Sequence, residues 1–103
     1  MTAVSKSPSP SQIAIIAETY RLLGDPTRLA VLLACRDGPV AVNDIAERVG
    51  ATPSLTSHHL RLLKAARLVR GERRERQVFH EIDDDHISHM LTDMIDHVSC
   101  EAG

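Results

Sequence analysis

Seven side chains that can bind a metal ion or exchange a proton are concentrated near the C-terminal end of this sequence. They are Asp84, His86, His89, Asp93, His97, Cys100 and Glu101. Most of them form two groups, one beginning at Asp84 and the other at His97. If this segment is one helix, His86 and His97 lie about 16 Å apart along its axis, too far to share an ion. The groups are therefore a solvated surface, two incomplete sites, or two halves that a second chain completes.

Length and composition limit the fold to one small domain, expected over residues 11–101. Tyr20 and Phe79 are the only aromatic residues, so the core must consist of aliphatic side chains, which favours packed helices. The Ser- and Pro-rich residues 1–10 are expected to be a disordered lead-in without the apolar segment of a secretion signal. The two cysteines make no disulfide framework, and no apolar run approaches a membrane span. We therefore expect a cytoplasmic protein with no membrane partner.

Charge is distributed unevenly along the chain. Residues 51–80 contain seven basic and two acidic residues, whereas residues 81–103 contain seven acidic and no basic residues. The basic segment suits a polyanion such as nucleic acid, and the acidic, His-rich segment suits cations. A solvated charged face is the alternative for each segment.

Apolar spacing and capping residues predict a mainly α fold with a small β-hairpin. Helices are expected at 11–23, 26–36, 42–50, 53–67 and 84–99, with Asp25 and Thr52 as N-caps. The hairpin is expected to pair 68–72 with 77–82 and to carry arginines at its tip, 73–76. Two helices joined by a tight Gly-containing turn and followed by such a hairpin form a winged helix-turn-helix, whose second helix enters the DNA major groove.

A helical wheel of the fourth predicted helix separates a polar face from an apolar one. Leu55, His59 and Leu62 share the apolar face, so His59 is interpreted as a core histidine with satisfied hydrogen bonds. The polar face and the hairpin tip are expected to contact phosphates and base edges. The predicted DNA contacts are Ser54, Thr56, Ser57, His58, Arg61, Lys64, Arg73, Arg74 and Arg76. The alternatives are a merely exposed His58 and a hairpin whose arginines only keep it soluble.

Two stretches carry a resemblance to a known family. "LLGDPTRLAVLLAC" and "VNDIAERVGATPSLTSHHLRLLKAARLVRGERRERQVFHEI" resemble the ArsR–SmtB family of winged-helix repressors, small dimeric metal sensors of bacteria, and the resemblance covers about residues 12–101. It implies a homodimer that binds double-stranded operator DNA and is released by an inducer. One class of the family binds metal through a Cys-Val-Cys motif in the third helix. Ala41 and Asn43 occupy those cysteine positions here, so arsenic or lead sensing of that type is not expected.

Zinc and cobalt sensors of the family use the last helix, with Asp-x-His, ten residues, and then His-x-x-His or His-x-x-Glu. The resemblance transfers this role to Asp84, His86 and His97. Cys100 stands at the fourth position, where those sensors have His or Glu, and Glu101 is the alternative fourth ligand. It implies Zn(II) as inducer, with Co(II) or Cd(II) possible. Two antiparallel copies of the helix would bring 86 opposite 97 and 84 opposite 100, forming two sites between subunits. The expected dimer seam is the apolar stripe Ile87, Met90, Leu91, Met94, Ile95 and Val98.

Two other functions are compatible with the sequence. A repressor of the same fold could respond to persulfide or oxidant through Cys35 and Cys100, although Cys35 lies in an apolar run where a buried cysteine is the default. A zinc-binding protein without a regulatory role is the second alternative, and the basic hairpin argues against it. An enzyme is not expected, because there is no Gly-rich phosphate loop and no nucleophile has a base at a telling spacing.

Overall fold

The computed structural model describes residues 7–102, with side chains as far as residue 100, and residues 1–6 of the predicted lead-in lie outside this part. The elements in chain order are helix α1 (Pro10–Leu23), helix α2 (Pro26–Ala34), a 3₁₀ turn (Cys35–Asp37), strand β1 (Val40–Ala41), helix α3 (Val42–Val49), helix α4 (Pro53–Ala65), strands β2 (Val69–Arg74) and β3 (Gln77–Ile82), and helix α5 (Asp85–Ala102). The predicted mainly α fold with a small hairpin is confirmed. The short strand β1 was not predicted.

Three of the helices begin in the same way, with a capping side chain followed by proline. Ser9, Asp25 and Thr52 each accept a hydrogen bond from the backbone N–H three residues later, at 3.1, 3.0 and 3.0 Å. Proline fits the next position because its φ is helical and it lacks the N–H that would have no partner there. Gln12 also accepts a hydrogen bond from Ser9 N at 2.9 Å, which completes a capping box. Pro10 therefore belongs to α1 and not to the predicted lead-in.

The three strands form one antiparallel sheet in the order β1-β3-β2. β2 pairs with β3 along its whole length, with Gly71 opposite His80. β1 pairs with the other edge of β3, with Val40 opposite His80. His80 therefore lies in the central strand with a neighbour on each side, and it is only 4% exposed.

The turn of the wing, the hairpin formed by β2 and β3, is shorter than predicted. Only Glu75 and Arg76 connect the two strands, and Glu75 adopts a left-handed conformation with φ 57. Arg73 and Arg74, predicted at the tip, are therefore strand residues. Because successive strand residues point to opposite faces, these two arginines face away from each other.

The core lies between α2, α3, α4 and the sheet. Its most completely buried aliphatic side chains are Val31, Leu32, Ile45, Leu60, Leu63 and Val69. Full burial of a side chain of this kind stabilises the fold by roughly 1.5–3 kcal/mol relative to its exposed state. The aliphatic core expected from the composition is therefore present, and it fixes α4 and the wing relative to each other.

The first half of α5 covers this core. Leu91 is only 5% exposed, and Ile87 and Met90 pack against the core while keeping part of their surface accessible. Leu91 was predicted to lie in a dimer seam. This prediction is corrected, because the Leu91 side chain is buried in the core of its own protomer. Further along the predicted seam, Met94 and Val98 are more than half exposed and Ile95 is half-buried.

A second apolar surface lies on α1. Its exposed side chains are Ile13, Ile15, Ile16 and Tyr20. The apolar spacing of this segment predicted a helix with an apolar face. In one protomer, much of that face is exposed to solvent. Exposed apolar clusters of this kind mark surfaces that associate with another protein surface.

Candidate DNA-binding surface and metal half-sites

Helix α4 presents the polar face that the sequence predicts. Ser54, His58, Arg61 and Lys64 are exposed, and Ser57 is half-buried. The helix follows α3 through a turn in which Gly50 has a left-handed φ of 71, the conformation that favours glycine at a helix C-terminus. Helix α4 thus presents two cationic side chains and three other polar side chains on a face that a ligand can reach.

The buried face of α4 differs from the one that the helical wheel predicts. Thr56 is fully buried and Leu60 is 2% exposed, whereas Leu55 is 45% exposed. The burial of Thr56 contradicts its predicted contact with DNA, because its side chain points into the core. A threonine has a methyl group beside its hydroxyl, so it can occupy a core position although its sequence type is polar. Within the described residues, its Oγ1 has no hydrogen-bond partner.

His59 lies in the core, as predicted, with 5% of its surface exposed. Burial lowers the pKa of His59 by penalising the charged ring, and Arg28 lowers it further, while Asp25 acts in the opposite direction. The neutral ring is therefore the favoured form. Its Nδ1 has no hydrogen-bond partner among the described residues.

The arginines of the wing are not equivalent. The Arg74 guanidinium carbon lies 5.2 Å from the centroid of the Phe79 ring, and Arg74 Nη2 lies 3.2 Å from Glu72 Oε1. Arg73 belongs to the opposite face of the hairpin, which it shares with Gly71. That face meets α4, because Lys64 of α4 reaches Gly71. Arg73 therefore extends the basic face of α4, whereas Arg74 is held by local contacts on the other face.

Asp84 and His86 lie together at the start of α5, and we call them the N-terminal half-site. Asp84, predicted as the first helical residue, is instead the N-cap of α5, and its Oδ1 accepts a hydrogen bond from Ile87 N at 3.1 Å. The same oxygen lies 3.8 Å from His86 Nδ1, and the two side chains are 51% and 96% exposed. Because a carboxylate has a second oxygen, Asp84 can bind an ion while it continues to cap the helix.

His97 and Cys100 form a second exposed pair near the other end of α5, and we call them the C-terminal half-site. Residues three apart on a helix are neighbours on its surface, so these two donors can approach one ion. The side chain of Glu101, the alternative ligand, lies outside the described residues. Among the side chains described for one protomer, no three His, Cys, Asp or Glu residues converge as a potential metal site. One protomer therefore offers these donors as separate pairs.

Arg70 of β2 connects the wing to the N-terminal half-site. Its Nη1 donates a hydrogen bond to Asp83 O at 3.2 Å, and its Nε lies 3.2 Å from Glu81 Oε2. Asp83 N also donates to Leu68 O at 3.1 Å, just before β2 begins. Since Asp83 directly precedes Asp84, these bonds link the chain at this half-site to β2.

The two cysteines have opposite environments. Cys35 is 1% exposed, and burial raises the pKa of its thiol to about 12, although the charge of Arg48 acts in the opposite direction. Cys100 is exposed. The thiolate is the reactive form of cysteine, so Cys35 is poorly suited to the thiol-responsive alternative.

We expect a thiol reagent such as DTNB to label one cysteine rapidly in the native protein at neutral pH. Cys100→Ser should remove the rapid phase, because Cys35 is protonated and buried and should react only after unfolding. Absorbance at the reagent's product wavelength, with and without denaturant, measures both populations. Rapid reaction of two thiols in the native protein would contradict this assignment and revive the thiol-responsive alternative.

The order of the helices and the hairpin defines a winged helix-turn-helix fold, and the basic face of α4 is exposed on it. Residues 25–70 match the family described as bacterial regulatory protein, arsR family. This match and the similarity to the transcriptional regulator NmtR show that the chain belongs to the arsR family of bacterial transcriptional regulators. The predicted ArsR–SmtB resemblance is confirmed.

Similar sequences include two regulators of Mycobacterium tuberculosis. The chain is 38% identical to the HTH-type transcriptional regulator NmtR over 92 residues, which cover 88% of this chain and 77% of that protein. It is 34% identical to the HTH-type transcriptional repressor SmtB over 97 residues, which cover 93% of this chain and 72% of that protein. The match to both relatives extends well beyond the helix-turn-helix segment.

The chain is also similar to solved structures. Apo-NmtR in solution matches with a TM-score of 0.74 and 35% identity, covering 95% of this chain and 83% of that one. The homodimeric winged helix-turn-helix domain of Mb0332 from Mycobacterium bovis matches with a TM-score of 0.78 at 23% identity, covering 97% and 92% of the two chains. The second likeness shows the fold alone. Between residues 7 and 102, no helix is long and apolar enough to cross a membrane.

Proposed function

We propose that this protein is a metal-responsive transcriptional repressor that binds operator DNA as an apo homodimer and is released by Zn(II), Co(II) or Cd(II) bound between its subunits. One observation carries the proposal: α5 exposes two pairs of metal-binding side chains, one near each end. The described side chains of one protomer supply no third donor to either pair. A second copy of the helix would supply the missing pair to each.

Two-fold symmetry would convert the half-sites into two identical sites. An axis passing near Leu91–Thr92 of two antiparallel α5 helices brings His86 opposite His97 of the second copy, and the same axis brings Asp84 opposite Cys100. Exposed apolar side chains for such an association are present on α5 and on α1. They are Met94, Val98, Ile13, Ile15, Ile16 and Tyr20. Leu91 stays within its own core in this arrangement.

The donor set fits a tetrahedral metal ion. Two imidazole nitrogens, one carboxylate oxygen and one thiolate sulfur are ligands that Zn²⁺ accepts, and a thiolate also suits Cd²⁺. The hydrogen bond between Asp84 Oδ1 and Ile87 N orients the carboxylate before an ion arrives. If Glu101 replaces Cys100 as the fourth ligand, all four donor atoms are nitrogen or oxygen. Such a site is chemically harder than one that contains a thiolate.

Release from DNA would follow from the shared ligands. Ligands contributed by both protomers fix the relative pose of the two winged domains, whereas an operator requires its two half-sites at a fixed spacing. The bonds from Arg70 to Asp83 and Glu81 give the N-terminal half-site a direct connection to the wing. The coupling must be reciprocal, so DNA would weaken metal binding by the same factor.

The experiment is a fluorescence-anisotropy titration of labelled promoter DNA with apo protein, repeated in the presence of Zn²⁺, Co²⁺, Ni²⁺ and Cd²⁺. We expect an inducing metal to weaken DNA binding by about 5–150-fold, the usual range of allosteric coupling. DNA affinity that does not change with Zn²⁺, Co²⁺ or Cd²⁺ would contradict the proposal. Zinc binding by a protein without specific, salt-sensitive DNA binding would instead indicate a zinc-binding protein with no regulatory role.

A further inference from the structure

Gly71 lies where the wing comes closest to α4. A Cβ atom at this residue would lie 3.2 Å from Val78 Cγ1, 3.3 Å from Lys64 Nζ and 3.4 Å from His80 Nε2. Side-chain atoms are therefore packed around the Cα of Gly71 more tightly than a methyl group normally tolerates. The backbone gives no other reason for glycine, because Gly38 and Gly50 have positive φ and Gly71 does not. The close approach of these side chains is the feature that favours glycine here.

Lys64 comes to this point from a different element. It stands on the exposed face of α4, and its ammonium group crosses to the strand of the wing. The groove between α4 and the wing is lined by Ser57, Arg61, Lys64, Val78 and His80, among others. Lys64 thus places a positive charge in the gap between the two elements that carry the predicted DNA contacts.

His80 lies next to Lys64 in this groove. It is 4% exposed, and its Nδ1 has no hydrogen-bond partner among the described residues. Burial lowers the pKa of His80, and the neighbouring Lys64 lowers it further, so the ring under the ammonium group is neutral at neutral pH. A neutral ring does not repel Lys64, and one of its nitrogens can accept a hydrogen bond.

We propose that Gly71 is a positioning residue: its missing side chain lets Lys64 bridge from the recognition helix α4 to the wing and hold its charge for a DNA phosphate between them. This inference rests on the proposed DNA-binding function. A methyl group at position 71 would displace the ammonium group, which ends a flexible side chain, more readily than it would displace the strand. The basic surface formed by Arg61, Lys64 and Arg73 would then be interrupted without unfolding the domain.

The test is a double-mutant cycle with Gly71→Ala and Lys64→Met, measured as operator affinity at several salt concentrations. Each single variant should weaken binding, and the slope of log K against log[salt] should become shallower by about 1 per protomer, because one phosphate contact is lost. The double variant should bind no more weakly than Lys64→Met alone. Arg61→Met provides the matched control, since its effect should add to that of Gly71→Ala.

Several results would overturn the inference. These are unchanged binding by Gly71→Ala, additive effects of Gly71→Ala and Lys64→Met, or loss of the fold in Gly71→Ala detected by thermal unfolding. Restored binding in a Gly71→Ala, Val78→Ala variant would also overturn it, because the effect would then come from the strand and not from Lys64. If the wild-type protein binds no DNA in a salt-dependent manner, the proposed function itself fails, a result distinct from all of these.

Discussion

Operator binding is expected to weaken by about 10³–10⁵-fold when the salt concentration is raised from 50 to 200 mM. Arg61, Lys64, Arg73 and Arg76 are exposed on each protomer, on α4 and on the wing. A homodimer would present two such sets to the phosphates, within the range of about 6–10 contacts that gives a loss of this size. The measurement is the slope of log K against log[salt] for a fixed operator fragment.

The two adjacent arginines of the wing provide a matched pair for this measurement. Arg73→Ala should make the slope shallower by about 1 per protomer, because Arg73 shares the face of the hairpin that meets α4. Arg74→Ala should change it much less, because Arg74 is held against Phe79 and Glu72 on the opposite face. Equal effects of the two substitutions would show that the wing approaches DNA in a different orientation, and a slope near zero would exclude the basic face as the DNA contact.

His97→Ala is expected to abolish the metal response while leaving the DNA affinity of the apo protein unchanged. The substitution would remove one imidazole from each of two shared sites, and a site with three remaining ligands cannot hold the two protomers in the same way. His97 is exposed on α5, outside the buried core and the basic face, so neither folding nor apo DNA binding should depend on it. Anisotropy titrations with and without Zn²⁺ measure both quantities.

His89→Ala is the matched control, because His89 is also exposed on α5 but does not belong to either half-site. It should retain the full metal response, and equal loss in both variants would contradict the ligand assignment. Absorption spectra of the Co²⁺ complex distinguish the fourth ligand within the same series. A sulfur-to-cobalt charge-transfer band that disappears in Cys100→Ser and persists in Glu101→Gln would identify Cys100, and the absence of such a band in the wild type would favour Glu101.

Much of the fold could be predicted because its signals are local. A capping side chain followed by proline marks the start of α2 and α4 in the sequence, and the structure places N-caps at Asp25 and Thr52. Ser9 followed by Pro10 carries the same signal, and α1 begins at Pro10, one residue earlier than expected. Strand β1 could not be predicted in the same way, because two residues do not establish an alternating pattern.

The incorrect predictions about the site concern residues whose burial is decided by tertiary packing. The apolar stripe of α5 has the right period, but the sequence does not show that Leu91 packs into its own protomer while Met94 remains exposed. Thr56 was predicted to contact DNA, whereas its side chain is fully buried in the core. The different faces of Arg73 and Arg74 follow from where β2 ends, and element ends are the least predictable feature of a sequence.

Gly71 shows a different limit of sequence reasoning. A glycine in a predicted strand signals a bulge or a close approach of another group. The sequence carried this signal, but only the tertiary structure identifies the approaching group as Lys64, seven residues earlier on another element. The same holds for His80, whose burial depends on its place between β1 and β2.

One side chain serves both the start of α5 and the N-terminal half-site. Asp84 caps the helix through Oδ1 and is a proposed ligand through the same carboxylate. Residue types that cap helices well are Ser, Thr, Asp and Asn, and of these only Asp offers a charged oxygen donor. Helix capping and metal binding therefore both restrict the residue type at position 84. In a related protein that had lost the metal response, Asn or Ser at this position would still cap the helix.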